Sequence, residues 1–494
     1  MAIFNNNLLA GAGAQSGTTT YEINQSIRFD DADEHFMYSP TPSSSKDFTT
    51  TATISLWFKL GNLKAGYLAG AFYGNNNRYN ILAINSDGQL LEYDRVGGAS
   101  TSNGTGTIGW TTTRVFRDPS AWYHAVFVWD TTNAVQSERF RLYINGVRET
   151  DFATEQALGA SELVYWFGKS TPTTLGAYFT GTGYADTYYF DGYMAEMHGV
   201  DGTALDQNSF GEFNSSGIWV PKEYTGSHGT DGFYIKGADA SALGTNSAAN
   251  GNNFTLNGIS SHDQMADSPT NNFCVLNPIS KPSYGSYMNR NVTGVNLQVT
   301  ENGDGVVQSY GYGTFVISSG KWYYEFYTNT YPAANAIAFG WIELENAMTA
   351  TDSGSSWKTP GMNQRHTSSS YSSWTWGLNN QTATGLSEFG QGVVIGVTTD
   401  FDNNTFTLTK NGSAYGSVDF DSVSPTYTLS GVEHLPLLFF GADGASLATL
   451  NFGQDSTFNG ALSAGGNADG NGHGNFKYAV PSGALAICSR NLGS

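Results

Sequence analysis

Three groups of residues in this 494-residue chain have types and spacings that could do chemistry. The first is a pair of carboxylates. A glycosidase built on a strand places its acid and nucleophile at period-two spacing, as in E-x-D-x-x-E, so that both point into one cleft. No such motif occurs. The nearest phrase is WIELEN, where Glu343 and Glu345 would share a face, but Met348 stands where the next carboxylate is needed. It reads as a solvated strand end, and no catalytic residue is assigned. The second group is DDADEH. Asp30, Asp31, Asp33 and Glu34 would repel one another without a cation, which makes calcium the only cofactor to consider, although a solvated turn explains the same residues. DFDNN offers oxygen ligands at Asp400, Asp402 and Asn404, but Thr405 replaces the glycine of a calcium loop and no Glu closes it. The histidines show no zinc spacing. The third group is aromatic residues in polar loops. YGNNNRY supplies Tyr73, Arg78 and Tyr79; WKTPGMNQRHTSSSYSSW supplies Trp357, Arg365, His366, Tyr371 and Trp374. Aromatic faces stack on sugar rings while Asn, Ser and Arg bond their hydroxyls, and the same set suits docking to a protein.

The elements that must carry these residues are strands. In FRLYINGV and TFTLTKNG apolar residues alternate with others at a period of two, and each run ends in Asn-Gly. That dipeptide accepts the positive φ angles of a type I′ turn, so Asn145-Gly146 and Asn411-Gly412 predict two hairpins. Gly is abundant at 60, aromatic residues reach 14%, and short β-branched or aromatic runs recur between Gly, Asn, Ser and Asp, an all-β composition. Only DQNSFGEF, near 206–213, has a weak helical period. Trp57, Trp129, Trp322, Tyr324 and Phe326 lie on alternating apolar strands and are predicted core.

The net charge of −20, with few clustered cations, sets the chain against nucleic acid and anionic lipid. No stretch approaches the ~20 apolar residues of a membrane span. The start MAIFNNNLLAGAGAQSG lacks the basic region and long apolar core of a secretory signal, so a soluble product without ordinary export is expected. Cys274 and Cys488 provide no disulfide framework, and a reduced pair is expected.

Longer phrases carry resemblances. SIRFDDADEHFMYS, ISLWFKL, WYHAVFVWD followed by RLYINGV, and FDGYMAEMHGVDGTAL occur in the order of laminin G-like, concanavalin A-like modules, which residues 24–213 resemble. GKWYYEFY, AFGWIE, GVVIGVTTDFDNNTFTLTKNG and LPLLFFGADGASLATLNFG make residues 285–455 similar to a SPRY domain. Both resemblances imply two-sheet jelly rolls, each using one Asn-Gly hairpin at the same corner. The start of the chain, VPKEYTGSHGTDGFYIKG, SPTNNFCVLNP and PSGALAICSRNL together resemble structural proteins of tailed phages, marine ones above all.

The expected layout is therefore an N-terminal anchoring arm at 1–22, a laminin G-like β-sandwich at 23–213, a Gly/Asn/Pro-rich bridge at 214–284, a SPRY-like β-sandwich at 285–455, and a Gly-rich tail with a C-terminal segment at 456–494. The Gly/Asn tract of that tail reads as flexible. The phage resemblance implies a non-enzymatic virion protein, displayed on the particle in multiple copies or as a homo-oligomer. Host-surface glycan or protein would be its ligand, and the alternative is a capsid decoration protein without a host ligand. The arm is uncharged and partly apolar, with Ile3, Phe4, Leu8 and Leu9 placed to order against other virion proteins.

Overall fold

The computed structural model describes residues 21–42, 48–73, 78–95, 108–156, 158–168, 172–178, 188–279, 288–289, 292–301, 308–331, 336–349, 361–365, 374–376, 381–383, 390–422, 426–440 and 445–492. The fold is all-β, in two units, Met1–Asn271 and Asn272–Ser494, each a sandwich of two main sheets. Both predicted hairpins form. Phe140–Ile144 turns through Asn145 (φ 48°) and Gly146 (φ 76°) into Val147–Arg148, and Thr405–Lys410 turns through Asn411 (φ 47°) and Gly412 (φ 77°) into Ser413–Asp419. Positive φ at both central residues is the type I′ requirement.

In the first unit one sheet runs Val147–Arg148, Phe140–Ile144, Tyr123–Asp130, Thr51–Leu60, Gly192–Asp201, Ser26–Phe29 and Gln264–Met265, with Phe233–Ile235 also against Gly192–Asp201. The other runs Phe152–Glu155, Ile108–Val115, Gln89–Arg95, Arg78–Ile84, Gly66–Tyr73, Thr173–Leu175, Phe36–Tyr38 and Thr255–Asn257. The stretch expected as a bridge thus supplies strands to both sheets. The core between the sheets follows the alternation: Ile54, Leu56, Phe58 and Leu60 face Leu68, Leu82, Ile84 and Leu175. DQNSFGEF is not a helix; a short 3₁₀ turn, Gln207–Ser209, leads into the strand Gly211–Phe213. Gly211 lies flat against the Trp219 ring of the paired strand, where a Cβ would collide, and this contact outweighs the weak helical period.

Thr53, Ser55 and Lys59 point to the opposite face, yet they are buried as well. Residues 203–271 cover them. Thr53 Oγ1 donates to the Thr203 carbonyl at 2.9 Å, and Val126, Val128 and Val200 pack under Phe210, with Leu205 and Tyr224 against them. His124 Nδ1 accepts the Trp219 indole N–H at 2.9 Å, and its Nε2 lies 2.8 Å from Ser55 Oγ, so the ring is neutral with its proton on Nε2. Two ion pairs fasten the cover. Asp263 Oδ1 accepts from Arg28 Nε and Nη2 at 3.0 and 2.9 Å. Asp267 Oδ2 accepts from Lys59 Nζ at 2.7 Å, and its Oδ1 takes the Trp122 indole N–H at 2.9 Å. All four charged side chains are 0% exposed.

The second unit repeats the device with different chemistry. One sheet runs Met288–Asn289, Gln308–Tyr312, His434–Phe440, Ala336–Glu343, Gly361–Arg365, Trp374–Trp376 and Gln381–Ala383. The other centres on Lys321–Thr330, between Ser446–Asn451 and Val394–Asp400, with Leu485–Ala486 alongside it in parallel. Trp322, Tyr324 and Phe326 enter the core, as predicted. Glu325 points the other way and is fully buried; it accepts the backbone N–H groups of Lys477 and Tyr478 at 2.8 and 2.9 Å, the Tyr323 hydroxyl at 3.0 Å and the Asn451 amide at 3.2 Å. The Gly/Asn tract, expected to be flexible, is folded. Asp469 is buried and caps it, accepting the N–H groups of Asn471, His473 and Ala486 and the Asn491 amide. Cys274 and Cys488 are both buried and form no disulfide.

Two outcomes follow for the first unit. Asp267→Ala strands the Lys59 ammonium in a dry site and should cost about 3–5 kcal/mol, read as a lowered urea midpoint. Adding Lys59→Met should recover at least half of that loss, which a merely bulky cavity would not allow. Burial, and secondarily His198, depresses His124 to about 3. The unfolded imidazole takes a proton near 6.5 while the folded one refuses it, so stability present above pH 6.5 is lost on acidification. The contribution is about 1.4 kcal/mol per pH unit between pH 6.5 and 3, or roughly 2 kcal/mol at pH 5. Urea melts at pH 7 and pH 5 should show it, and His124→Asn should reduce the slope.

Candidate functional site

The outer face of the second sheet of the first unit gathers tyrosines. Register places Gly70, Ile81 and Tyr93 in one row, and Tyr67, Ala83 and Leu91 in the next. A bulge between Tyr67 and Ala69 turns Tyr67 outward. Gly70 has no side chain to hold off the ring of Tyr178, whose Cδ2 would lie 3.1 Å from a Cβ there. Tyr178 therefore lies over the sheet and bridges Tyr67 and Tyr79, at ring separations of 5.6 and 5.7 Å. Tyr188 meets Tyr67 edge-on at 5.8 Å and is 47% exposed. Ile81, Ala83 and Leu91 fill the floor. Burial, and then the neighbouring Tyr188, Tyr79 and Tyr93, raises the hydroxyl pKa of Tyr67; burial and Tyr79 raise that of Tyr93. The Tyr67 and Tyr93 hydroxyls therefore stay protonated at neutral pH and can both donate and accept. The face is thus a half-buried aromatic platform fringed with hydroxyls, which can stack on a ring and bond its edges.

Of the residues singled out in sequence, Tyr79 belongs to this platform. Tyr73 and Arg78 stand opposite each other in register at the adjoining strand ends. Tyr67, Tyr93, Tyr178 and Tyr188 were missed. In the second unit Arg365 closes the strand Gly361–Arg365 and Trp374 opens Trp374–Trp376, while Trp357, His366 and Tyr371 lie outside the described residues. Ile3, Phe4, Leu8 and Leu9 lie outside them too.

The acidic turn closes on itself. Asp30 is buried, its carboxylate accepting the Ala32 N–H at 3.0 Å and its carbonyl the His35 N–H at 3.1 Å. Asp31 pairs with Lys64 at 3.1 Å, while Asp33 and Glu34 are exposed. Burial, followed by the charges of Asp31 and Asp30, holds Asp191 well above the usual carboxylate range, and Asn62 donates to it. Among the described residues no group of three or more His, Cys, Asp or Glu is placed to hold a metal ion. Glu343 and Glu345 do not share a strand face: the strand ends at Glu343, and Glu345 sits on the short helix Leu344–Thr349. Glu343 instead accepts the Tyr427 hydroxyl at 2.7 Å and the Asn346 amide at 3.0 Å.

One buried network had no sequence signal. Glu196 occupies a bulge of Gly192–Asp201 at φ 48°, which brings it and His198 to the covered face. Its Oε2 accepts the hydroxyls of Tyr234 and Tyr21 at 2.6 and 2.9 Å and lies 3.5 Å from His198 Nε2. His198 Nδ1 is 3.1 Å from His228 Nε2, and burial depresses His228 to about 4. Burial works to raise Glu196, but His198 and the two hydroxyls outweigh it and hold the carboxyl below its ordinary value. This network ties Tyr21 to the sheet.

Comparison with known proteins finds one family match within each unit. Residues 33–208 match the family described as the Concanavalin A-like lectin/glucanases superfamily, and residues 321–453 match the SPRY domain. The search of curated proteins found no match. Among solved structures, a native heptameric SAP-like pentraxin from Limulus polyphemus is 16% identical over 35% of this chain and 78% of its own, with a TM-score of 0.24. The SPRY domain of human HERC1 is 19% identical over 31% and 87%, at 0.23, and mouse laminin α1 chain domains LG4-5 are 10% identical over 96% and 89%, at 0.30. The chain carries a laminin G-like, concanavalin A-like domain followed by a SPRY domain.

Proposed function

We propose that this chain is a non-enzymatic structural protein on the surface of a tailed-phage virion, in a head or tail fibre or appendage, and that it binds host-surface glycan or protein. The observation that carries the binding reading is the tyrosine platform: Tyr67, Tyr79 and Tyr93, half-buried on a rigid sheet, and exposed Tyr188. The lectin description of the matching family supports glycan as the ligand class. The phage reading is supported by phrases spread over nearly the full length, from MAIFNNNLLAGAGAQSG to PSGALAICSRNL. The use of Glu343 as a hydrogen-bond acceptor within the fold supports the non-enzymatic reading.

Two measurements test this. Labelled full-length protein should adsorb to host cells, and Tyr93→Ala, Tyr188→Ala, Trp357→Ala and Tyr371→Ala should each be examined. Loss of a stacking ring costs about 1–3 kcal/mol where such contacts have been measured on bases, so adsorption at the true site should fall by roughly 5- to 150-fold with the melting temperature nearly unchanged. Wild-type adsorption in all four variants would favour the decoration role, and release of reducing ends from host polysaccharide would overturn the non-enzymatic reading. The second measurement concerns the arm. Tyr21 bonds Glu196, and the Ile23 backbone exchanges two hydrogen bonds with Thr270 Oγ1, at 3.1 and 2.6 Å. A chain starting at Tyr21 keeps all of these and should fold with an unchanged midpoint, yet fail to join the particle. Wild-type copy number in virions made with the truncated chain would place the anchor elsewhere.

A further inference from the structure

One side chain pins an otherwise exposed loop of the cover to the first sheet. Of residues 222–230, His228 alone is buried; Tyr224 is half-buried, its ring 4.9 Å from that of Phe210, and the rest are exposed. His228 reaches the covered face of Gly192–Asp201, where its Nε2 lies 3.1 Å from His198 Nδ1. The two rings are parallel within 7° and their centres are 5.4 Å apart, the separation expected of one N–H···N bond lying in the ring planes. Such a bond holds one proton. His198 turns its other nitrogen to Glu196 Oε2 at 3.5 Å, so the charge of one added proton is balanced there. A second would set N–H against N–H at 3.1 Å and bring two cations together in a buried site.

The backbone around His228 is arranged to open. Its carbonyl accepts the Asp201 N–H at 3.0 Å, and Gly229, at φ 76°, turns the chain straight back to the surface. The Tyr224 hydroxyl is spent inside the loop, on the Ser227 carbonyl at 2.9 Å. Asn250 holds the far end, donating to the Thr230 and Gly232 carbonyls at 3.2 and 2.6 Å, which leaves a hinge there.

We propose that His228 is an acid-operated latch: a second proton on the histidine pair expels its ring and frees residues 222–229 from the sheet. Opening uncovers Phe210, which lies over Val126, Val128 and Val200, so acid presents an apolar face that neutral pH hides. Burial, and then the charge of His198, depresses the latched His228 to about 4, whereas the freed ring takes its proton near 6.5. The closed loop is therefore fully favoured above pH 6.5. Each pH unit below that favours opening about tenfold, until the ring can be protonated in place near pH 4. The groups facing the pair are Glu196 and Asp201 on its own strand, His124 on Tyr123–Asp130, and Tyr224, Asp231, Tyr234 and Lys236 in the cover, with Tyr21 and Glu223 beyond them. Glu196 is the carboxylate in ion-pair reach. Burial works to raise it, but His198 and the Tyr234 and Tyr21 hydroxyls outweigh that, so its loss of charge follows only below 4.5 and acts in the same direction.

The test is residue-resolved hydrogen exchange on the full chain from pH 7 to 4.5, each rate divided by its intrinsic value at that pH. The Asp201 amide, whose acceptor is the His228 carbonyl, should open about 100-fold more at pH 4.5 than at pH 6.5, while the amides of Tyr123–Asp130 keep their protection. His228→Gln retains a side chain able to bond His198 but unable to titrate, and should hold the Asp201 rate level over the same range. His124→Asn removes another depressed imidazole and should leave the Asp201 rise intact. A level rate in the wild-type chain, a rise that survives His228→Gln, or a rise that Tyr123–Asp130 shares would each overturn the proposal. Should Gln leave the loop open even at pH 7, the wild-type chain decides. Its 15N-histidine spectrum must show His228 gaining a proton as Asp201 opens, and a His228 that stays neutral through the opening sinks the latch.

Discussion

The pairing of Lys59 and Arg28 with Asp267 and Asp263 is the constraint from which the rest of the first unit follows. Both cations sit on sheet strands, on the face turned away from the core, and both are wholly buried. Neither could remain there without its carboxylate, since an unpaired buried charge costs several kcal/mol. Once residues 260–271 are held against the strands, the chain from 203 onward must lie over the same face. That placement seats Trp219 against His124, sets Phe233–Ile235 beside Gly192–Asp201, and brings Asn250 to Gly232. The tyrosine platform lies on the other sheet, so the cover and the half-buried tyrosines occupy different sheets of the same sandwich.

The second unit reaches the same end without a cation. Glu325 is surrounded by N–H groups of the returning chain, a tyrosine hydroxyl and an amide, and Asp469 organises the loop that follows. Here dipoles rather than an opposite charge stabilise the buried carboxyl; burial still pushes Glu325 above its ordinary value, against those hydrogen bonds. The difference has a mechanical side. An ion pair constrains one point on the covering chain, whereas a ring of backbone donors dictates the path of several successive residues.

Much of the fold was legible because period-two alternation and Asn-Gly turns are local signals. They placed Trp129, Trp322, Tyr324 and Phe326 inside and set both hairpin corners, while Trp57 is buried on the covered face, stacked on His124. Alternation marks two faces but is silent on what lies against the second. Thr53, Ser55 and Lys59 look like solvent-facing residues, and only the distant SHDQMADSPTNN shows otherwise. The Asn-rich tract at 246–253 has the composition of a linker, yet its side chains replace the missing backbone partners of a compact loop. The platform was hidden for a third reason. Tyr67, Tyr93 and Tyr178 come from separate strands and a loop, and they meet through register, a bulge and a bare glycine. Tyr79 was found because it follows a polar Asn-rich turn, a signal unrelated to its neighbours.

The buried ion pairs also bear on how such a protein can be rearranged by recombination. The recognisable fold ends near residue 208, but the carboxylates that neutralise Arg28 and Lys59 lie at 263 and 267. A crossover at the edge of the recognisable fold would deliver two naked cations to the recipient. A crossover near 271 would deliver none. The segment that must travel together is thus longer than the fold that identifies it, because it has to keep each charge with its mate.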